Sequence, residues 1–259
     1  MKRASYLKLV ALCLSDGGIG FSSNTMYIHF TNTSEVLLDL FKREIRKFSE
    51  SKIHKQIKPR GITLRIFDKK LVRALLNISP SYRTRPCNHF PICPFLKKDR
   101  KYGFGNHKHF KQNGLIFAKT TVPEYLFQTL KDRATFMRIY ASCDGYPSIF
   151  PRKSSWSAVE RIVAIVCHHP ILKTRLHEIL VDLKIPHKTK PYAIEMRSKE
   201  SITQFRKKIG FIDGVKMTGN SRYWKGVEKN KVLDKILKSY SMKFKSRDPD
   251  YIISELKGV

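Results

Sequence analysis

The sequence predicts an α+β fold built from two near-equivalent halves, each running helix, two strands, helix, two strands, helix. Three observations carry that expectation. An apolar stretch ending in Asp-Gly, Leu9 to Gly17, returns 128 positions later as Met137 to Gly145. The segments after each stretch alternate between strand and helix periodicity in the same order. Their landmarks keep an offset near 130, as Ile66 and Met196 do, and several in register are not expected of two unrelated halves.

In the first half a helix closes at Leu14, and strands follow at Gly20 to Ser23 and Met26 to Thr31. The next helix, Ser34 to Phe48, has Ser34 as N-cap and Val36, Leu37, Leu40, Phe41 and Ile45 on one side. Ile53 to Lys58 turns through Pro59-Arg60-Gly61 into Ile62 to Phe67, and the helix Lys69 to Leu76 closes the unit. The second half places strands around Ser148 to Phe150 and at Arg161 to Cys167, then the helix Ile171 to Leu183. Strands at His187 to Lys190 and Tyr192 to Arg197 lead to the helix Glu200 to Lys208. His168-His169-Pro170 reads as a strand end and a helix start, with no metal role. Trp224, beside Tyr223 and Lys225, reads as a helix residue anchored in the core, in preference to a platform for a base.

The expected domains are 1–122 and 123–259, the first including an inserted linker at 79–122. That insertion is rich in Pro, Lys, His and aromatics and shows no sustained period. Cys87, His89, Cys93, His107 and His109 within it are zinc-ligand types. Their pairs miss the tight spacing of a zinc finger, so a mixed structural role or no metal at all is expected.

Composition narrows the function. The 259 residues carry 51 Lys+Arg against 21 Asp+Glu, a net charge of +30, and a compact chain with that excess repels itself unless a polyanion neutralises it. Double-stranded DNA is the expected partner, with RNA as the lesser alternative. No apolar run reaches the roughly 18 residues of a membrane span, and no secretory cleavage site follows the first helix. Five cysteines make no disulfide framework, so a cytosolic protein is expected, or one in the organelle or nucleoid compartment holding its target.

A lone Asp-Gly after an apolar helix is ordinarily a C-terminal stop with Gly in the left-handed conformation. Here it occurs twice, on helices carrying small residues: Ala4 and Ala11, then Ala134, Ala141 and Ser142. Small side chains let helix backbones approach, so Asp16 and Asp144 would emerge side by side at a pseudo-twofold axis. Carboxylates there face negative dipole ends and one another. A hard divalent cation such as magnesium removes both objections and provides hydrolytic chemistry on a phosphodiester.

Leu9 to Gly17 and Met137 to Gly145 resemble the two copies of the signature of LAGLIDADG homing endonucleases in their monomeric double-motif form. Ser201 to Phe211, followed by Lys216, resembles the tail of that family's second domain. The resemblance implies two αββαββα domains whose antiparallel four-stranded sheets form a saddle over DNA. It implies two or three magnesium ions at the domain interface, held by Asp16 and Asp144 with the backbone carbonyls of Ser15 and Cys143. A basic residue near each site would be Lys216 in the second half, with Lys97 or Lys98 the first-half candidate. Leu14 and Ser142 stand where the signature's earlier acid would be, which leaves the later aspartates as ligands.

Strand alternation supplies a reading surface independently. Tyr27, His29, Thr31, Thr63 and Arg65 are expected to point outward in the first half, with Ala193, Glu195 and Arg197 in the second. Arg can pair with guanine and Glu with cytosine in the major groove. Lys55, Lys58, Arg60, Arg152, Lys153, Arg161, Lys188 and Lys190 are the expected DNA contacts at and near strand ends, chiefly to phosphates. Two inequivalent halves argue for an asymmetric target, and with the resemblance they imply a magnesium-dependent double-strand cut at a long site; the resemblance implies that the cut serves intron homing. A non-cleaving binder on the same fold, an RNA maturase or a DNA-binding regulator, is the alternative.

Overall fold

The computed structural model describes residues 3–22, 25–59, 61–86, 109–112, 114–151, 159–218, 221–246 and 248–258. The first unit is α1 (Arg3–Leu14), β1 (Gly17–Ser22), β2 (Thr25–Asn32), α2 (Glu35–Ile45), β3 (Ile53–Lys58), β4 (Gly61–Ile66) and α3 (Lys69–Ile78). A hairpin, β5 (His109–Gln112) with β6 (Leu115–Ala118), and a single 3-10 turn at Glu124–Leu126 follow. The second unit is α4 (Leu130–Asp144), β7 (Gly145–Pro151), β8 (Val159–Val166), α5 (Pro170–Asp182), β9 (Lys188–Thr189), β10 (Ala193–Met196) and α6 (Lys199–Lys208). Two further helices, α7 (Lys229–Ser239) and α8 (Pro249–Gly258), follow.

Both units form antiparallel four-stranded sheets of one topology, β1-β2-β4-β3 and β7-β8-β10-β9. Each sheet buries one face under helices. In β2 and β4 the buried set is Met26, Ile28, Phe30, Leu64 and Ile66, and the Phe30 ring stacks on Phe41 of α2 at 5.0 Å. Local signals set the boundaries. Asp68 accepts a 2.9 Å bond from the Leu71 N–H and caps α3, and Thr129 with Asp132 forms a capping box on α4. His169 caps α5, its Nδ1 accepting from the Leu172 N–H at 3.2 Å, as a helix start at Pro170 requires.

Helix α1 is apolar all round, the pattern of a helix enclosed on every side: Leu7 and every residue from Leu9 to Leu14 are buried. It packs on its own sheet and on α4, placing the two signature helices side by side. Ala11, Ala141 and Ser142 are buried as expected, but Ala4 is exposed and takes no part. Trp224 is a core anchor, 1% exposed with its Nε1–H donating to the Ile149 carbonyl at 2.8 Å, although it sits in a turn and not a helix. Among the described residues no helix is long and apolar enough to cross a membrane.

Candidate active site and nucleic-acid interface

The ends of α1 and α4 meet. Each passes through Asp directly into a glycine that opens a strand. The glycines are required by close approach and not by a left-handed turn, which corrects the expectation from the Asp-Gly pair. Gly145 is extended, at φ −105° and ψ 158°, and a Cβ there would lie 2.6 Å from the Ala141 carbonyl oxygen. At Gly17 a Cβ would lie 2.8 Å from the His29 oxygen and 2.9 Å from the Leu12 oxygen.

Asp16 is held at both its backbone and its carboxylate. Its carbonyl accepts from the Thr31 N–H at 2.9 Å, and the Asn32 amide donates to Oδ2 at 2.6 Å. The Cys143 thiol at the tip of α4 is within hydrogen-bonding reach of the same carboxylate, so the two tips touch. Lys229, at the start of α7, enters this junction from below. Its ammonium donates to the Ser142 carbonyl at 2.7 Å and the Gly145 carbonyl at 2.6 Å, and the residue is only 5% exposed. It therefore caps the negative end of α4 beside both carboxylates.

The electrostatics follow from that geometry. Burial, then the neighbouring Asp16 charge, pushes Asp144 up to about 8, against the opposing pull of Lys229 and Arg85. Burial raises Asp16 too, resisted by Lys229, Asn32, Cys143 and Arg85. Desolvation lowers Lys229 while Cys143 and both aspartates raise it. Both carboxyls stay raised although a buried ammonium and an exposed guanidinium pull them down, so burial and mutual repulsion are only partly offset from within. The donor set is hard oxygen and fits magnesium in kind. It is short in number: among the described residues no three His, Cys, Asp or Glu side chains converge on a metal position. Phosphate oxygens of a bound nucleic acid and water would have to complete the shell.

The basic residues at the centre are not those expected. Lys216 is exposed and pairs through its backbone with Glu228, while Lys229, whose N–H bonds to the Val215 carbonyl at 2.8 Å, is the lysine that turns inward. Lys97 and Lys98 lie outside the described residues, and Arg85 is the first-half cation felt by both aspartates. Of the zinc-type residues, Cys87, His89, Cys93 and His107 lie outside the described residues, and only the backbone of His109, in β5, is described.

Register sorts the sheet residues. Tyr27, His29, Thr31, Thr63 and Arg65 share the face of the first sheet opposite the helices. The Tyr27 and His29 rings lie over Gly20 and Gly18 of β1, where a Cβ would come within 2.5 and 2.9 Å of them. The Arg65 guanidinium sits 5.2 Å from the Tyr27 ring centre, and the Thr31 and Thr63 hydroxyls bond at 2.9 Å; Thr63 is buried, 2% exposed, which corrects its expected place among the DNA contacts. Burial, with Arg65 and Lys58 nearby, lowers His29 to about 4, so it meets a ligand neutral. Lys58 is on this face, but Lys55 stands opposite Leu64 and belongs to the helix side of its edge strand.

On the second sheet Ala193, Glu195 and Arg197 alternate away from the core, and Lys188 stands opposite Glu195, with Lys190 beyond it. Arg197 is already engaged, bonding Glu195 at 3.0 Å and Glu160. Arg161 faces the helices: it lies opposite buried Ile149, donates to the Ser239 hydroxyl and carbonyl at 2.7 and 2.8 Å, and packs 4.5 Å from the Tyr240 ring centre. It ties down the end of α7 and is not on the reading surface. Arg60, Arg152 and Lys153 lie outside the described residues.

Among solved structures, the LAGLIDADG meganuclease I-AabMI, bound to uncleaved DNA, is similar over 98% of each chain at 13% identity, with a TM-score of 0.53. I-DmoI in complex with DNA and Mn matches 81% of this chain and 97% of its own at 15% identity and a TM-score of 0.49. The N-terminal LAGLIDADG domain of DUF199/WhiA matches 85% of each chain at 12% identity and a TM-score of 0.47. No protein-family model matches the sequence, and no curated protein does. The fold is that of the LAGLIDADG proteins, with two antiparallel four-stranded sheets.

Proposed function

We propose that the protein is a monomeric, divalent-metal-dependent endonuclease that cuts both strands of DNA at a long asymmetric site, as intron-homing enzymes do. The observation that carries this reading is the meeting of Asp16 and Asp144 at abutting helix ends with their charge only partly offset by Lys229. Bound magnesium supplies the missing positive charge and polarises the oxygens around the scissile phosphate. The chain's own residues do the rest. Asp16 and Asp144 would hold the ions with the Ser15 and Cys143 carbonyls, and Lys229 keeps the helix ends together. Arg85, exposed and felt by both aspartates, would face a phosphate. In each cut a water oxygen bonds to phosphorus, one P–O ester bond breaks, and the departing oxygen takes a proton.

An asymmetric target is supported by a charge reversal at one backbone address. Through the registers, Arg65 of the first sheet corresponds to Glu195 of the second, and His29 to Ala164. Arg65 favours guanine acceptors, whereas Glu195 at the same address is an acid already paired with Arg197, so the two half-sites need different sequences.

A second reading, binding of DNA or RNA without cleavage, has Lys229 in its favour, because the ammonium already offsets part of the dyad's charge. Selection of a DNA ligand from a random library, then incubation with magnesium, separates the two. Asp16→Asn and Asp144→Asn should each abolish cutting and leave binding within about threefold. A native protein that binds its selected DNA and leaves it intact in magnesium and manganese would remove the endonuclease reading.

A further inference from the structure

The two aspartates occupy matching places in a duplicated fold, yet their surroundings differ. Asn32 ends β2, and its amide is fixed at both ends. Oδ1 accepts from the Ser34 N–H at 2.7 Å, and Nδ2 donates to Asp16 Oδ2 at 2.6 Å. A backbone N–H can only donate, so the Ser34 contact settles which end of the amide faces Asp16. The matching residue in the second half follows from register. Gly17 stands opposite Phe30 and Gly145 opposite Ile165, so two residues farther along Asn32 corresponds to Cys167. The Cys167 thiol turns to the His169 carbonyl at 3.5 Å. Asp144 has instead the Tyr140 hydroxyl, one turn back on its own helix, which is shared with the Val166 carbonyl at 3.4 Å. One carboxylate thus has a dedicated, immobilised donor and the other a divided one.

We infer that Asn32 is a positioning residue for Asp16, and that it makes the two halves of the centre unequal, so that the strand served by Asp16 is cut first. This rests on the endonuclease reading above. A carboxylate that must present its oxygens within roughly 10–20° of the productive direction gains from a fixed partner. Losing such an outer partner typically costs about 10–100-fold in metal affinity or rate. Each cut has the same balance: water adds across one P–O bond, and the two strands differ only in how well the carboxylate is aimed.

The test is Asn32→Ser. A serine oxygen can still accept from the Ser34 N–H in a turn of the same kind, but it is too short to reach Asp16. Both strands of the selected DNA are labelled distinguishably and followed in a single turnover. Mn2+ binding to the protein–DNA complex is measured in parallel from the loss of free-ion electron-resonance signal. The native protein should pass through one nicked species, always in the same strand. In Asn32→Ser that strand should slow by about 10–100-fold and Mn2+ affinity fall by about tenfold, while the other strand changes by less than about threefold. A mere loosening of the fold would slow both strands together, and that result, or native Mn2+ affinity, would overturn the inference. Asp16→Asn is the companion arm. If it is inactive while Asn32→Ser behaves as native, only the role of Asn32 fails. If Asp16→Asn cuts and binds Mn2+ as the native protein does, the endonuclease reading fails and takes this inference with it.

Discussion

Replacing Lys229 with methionine should destabilise the protein more than any change on its reading surface, and divalent ions should reverse part of the damage. The side chain is 5% exposed and its ammonium makes two short bonds, 2.6 Å to Gly145 and 2.7 Å to Ser142. Methionine fills a similar volume, so the loss is of charge and donors and not of packing. Two carbonyls at the end of α4 lose their donor, and two carboxylates lose the buried cation that offsets them. Removing one member of a buried charged cluster typically costs about 3–5 kcal/mol, because the remaining charges stay desolvated. Unfolding a chain of 259 residues releases about 2.1 cal/mol/K per residue. The melting midpoint should therefore fall by about 6–9 °C, read by calorimetry or circular dichroism without metal. Added magnesium should raise the midpoint of Lys229→Met more than that of the native protein, since a ligand of the folded state stabilises in proportion to its affinity. Sodium chloride at equal ionic strength should not, because a buried cluster is poorly screened. A variant melting within about 1 °C of native (the spread of neutral surface changes in a chain of this length) and responding to magnesium as native does would show that Lys229 does not balance the dyad.

Two further outcomes follow from the surface and the inserted hairpin. Arg65→Ala should relax preference at one base position by about 1–3 kcal/mol, whereas Arg197→Ala should weaken binding to all sequences by removing a cation that offsets Glu160 and Glu195 on the same face; equilibrium binding to a panel of single-base variants distinguishes them, and a uniform loss for Arg65→Ala would make it a phosphate contact. His169 pins β6 to α5: Nδ1 accepts from Leu172, and Nε2–H donates to the Ala118 carbonyl at 2.7 Å between the Phe110 and Phe117 rings. Burial lowers its pKa, so its contribution is complete above the ordinary histidine value of about 6.5 and is lost as the pH falls through the depressed one. Protonation fills the Nδ1 acceptor and leaves the Nε2–H donor, so the protection factor of the Leu172 amide should fall on acidification in the native protein and stay constant over that range in His169→Asn, which keeps the cap without titrating; that variant cannot reach Ala118, so protection at 114–118 should be low at every pH, and native protection there would refute the latch.

The duplicated order of elements was legible because it rests on local periodicity, and two copies in register reinforce each other. The faces of β2 and β4 were legible for the same reason: Ile62-Thr63-Leu64-Arg65-Ile66 alternates cleanly. The side taken by Arg161 is not legible because β8 reads Val-Glu-Arg-Ile-Val-Ala-Ile-Val, apolar on both faces, and only the partner strand shows which side an odd polar residue takes. Lys55 could have been placed correctly, since Ile53 and Ile57 share its face. The hairpin β5–β6 is too short for its period to stand out, and it is held by ring contacts to His169, far away in sequence. Lys229 sits among Lys225, Lys231 and Lys235, and nothing local distinguishes the lysine that turns inward.

That last failure has a physical cause with consequences for the site. Carboxylates at the C-terminal ends of two packed helices are placed where the dipoles oppose them, and helix periodicity cannot reveal what offsets the cost. The compensating groups come from segments that meet only after folding: Asn32 from a strand end, Arg85 from the start of the insertion, and Lys229 from a helix that follows the second sheet. Helix α7 is anchored by Arg161 at its C-terminal end and by Lys229 at its start. The second unit thus carries a helix whose first residue serves the junction, while the first unit serves its aspartate with an amide from its own sheet. The same problem of charge has been solved twice by different means. An exact duplication would place identical groups at both aspartates; the unequal solutions require that the halves diverged in chemistry while keeping one backbone plan.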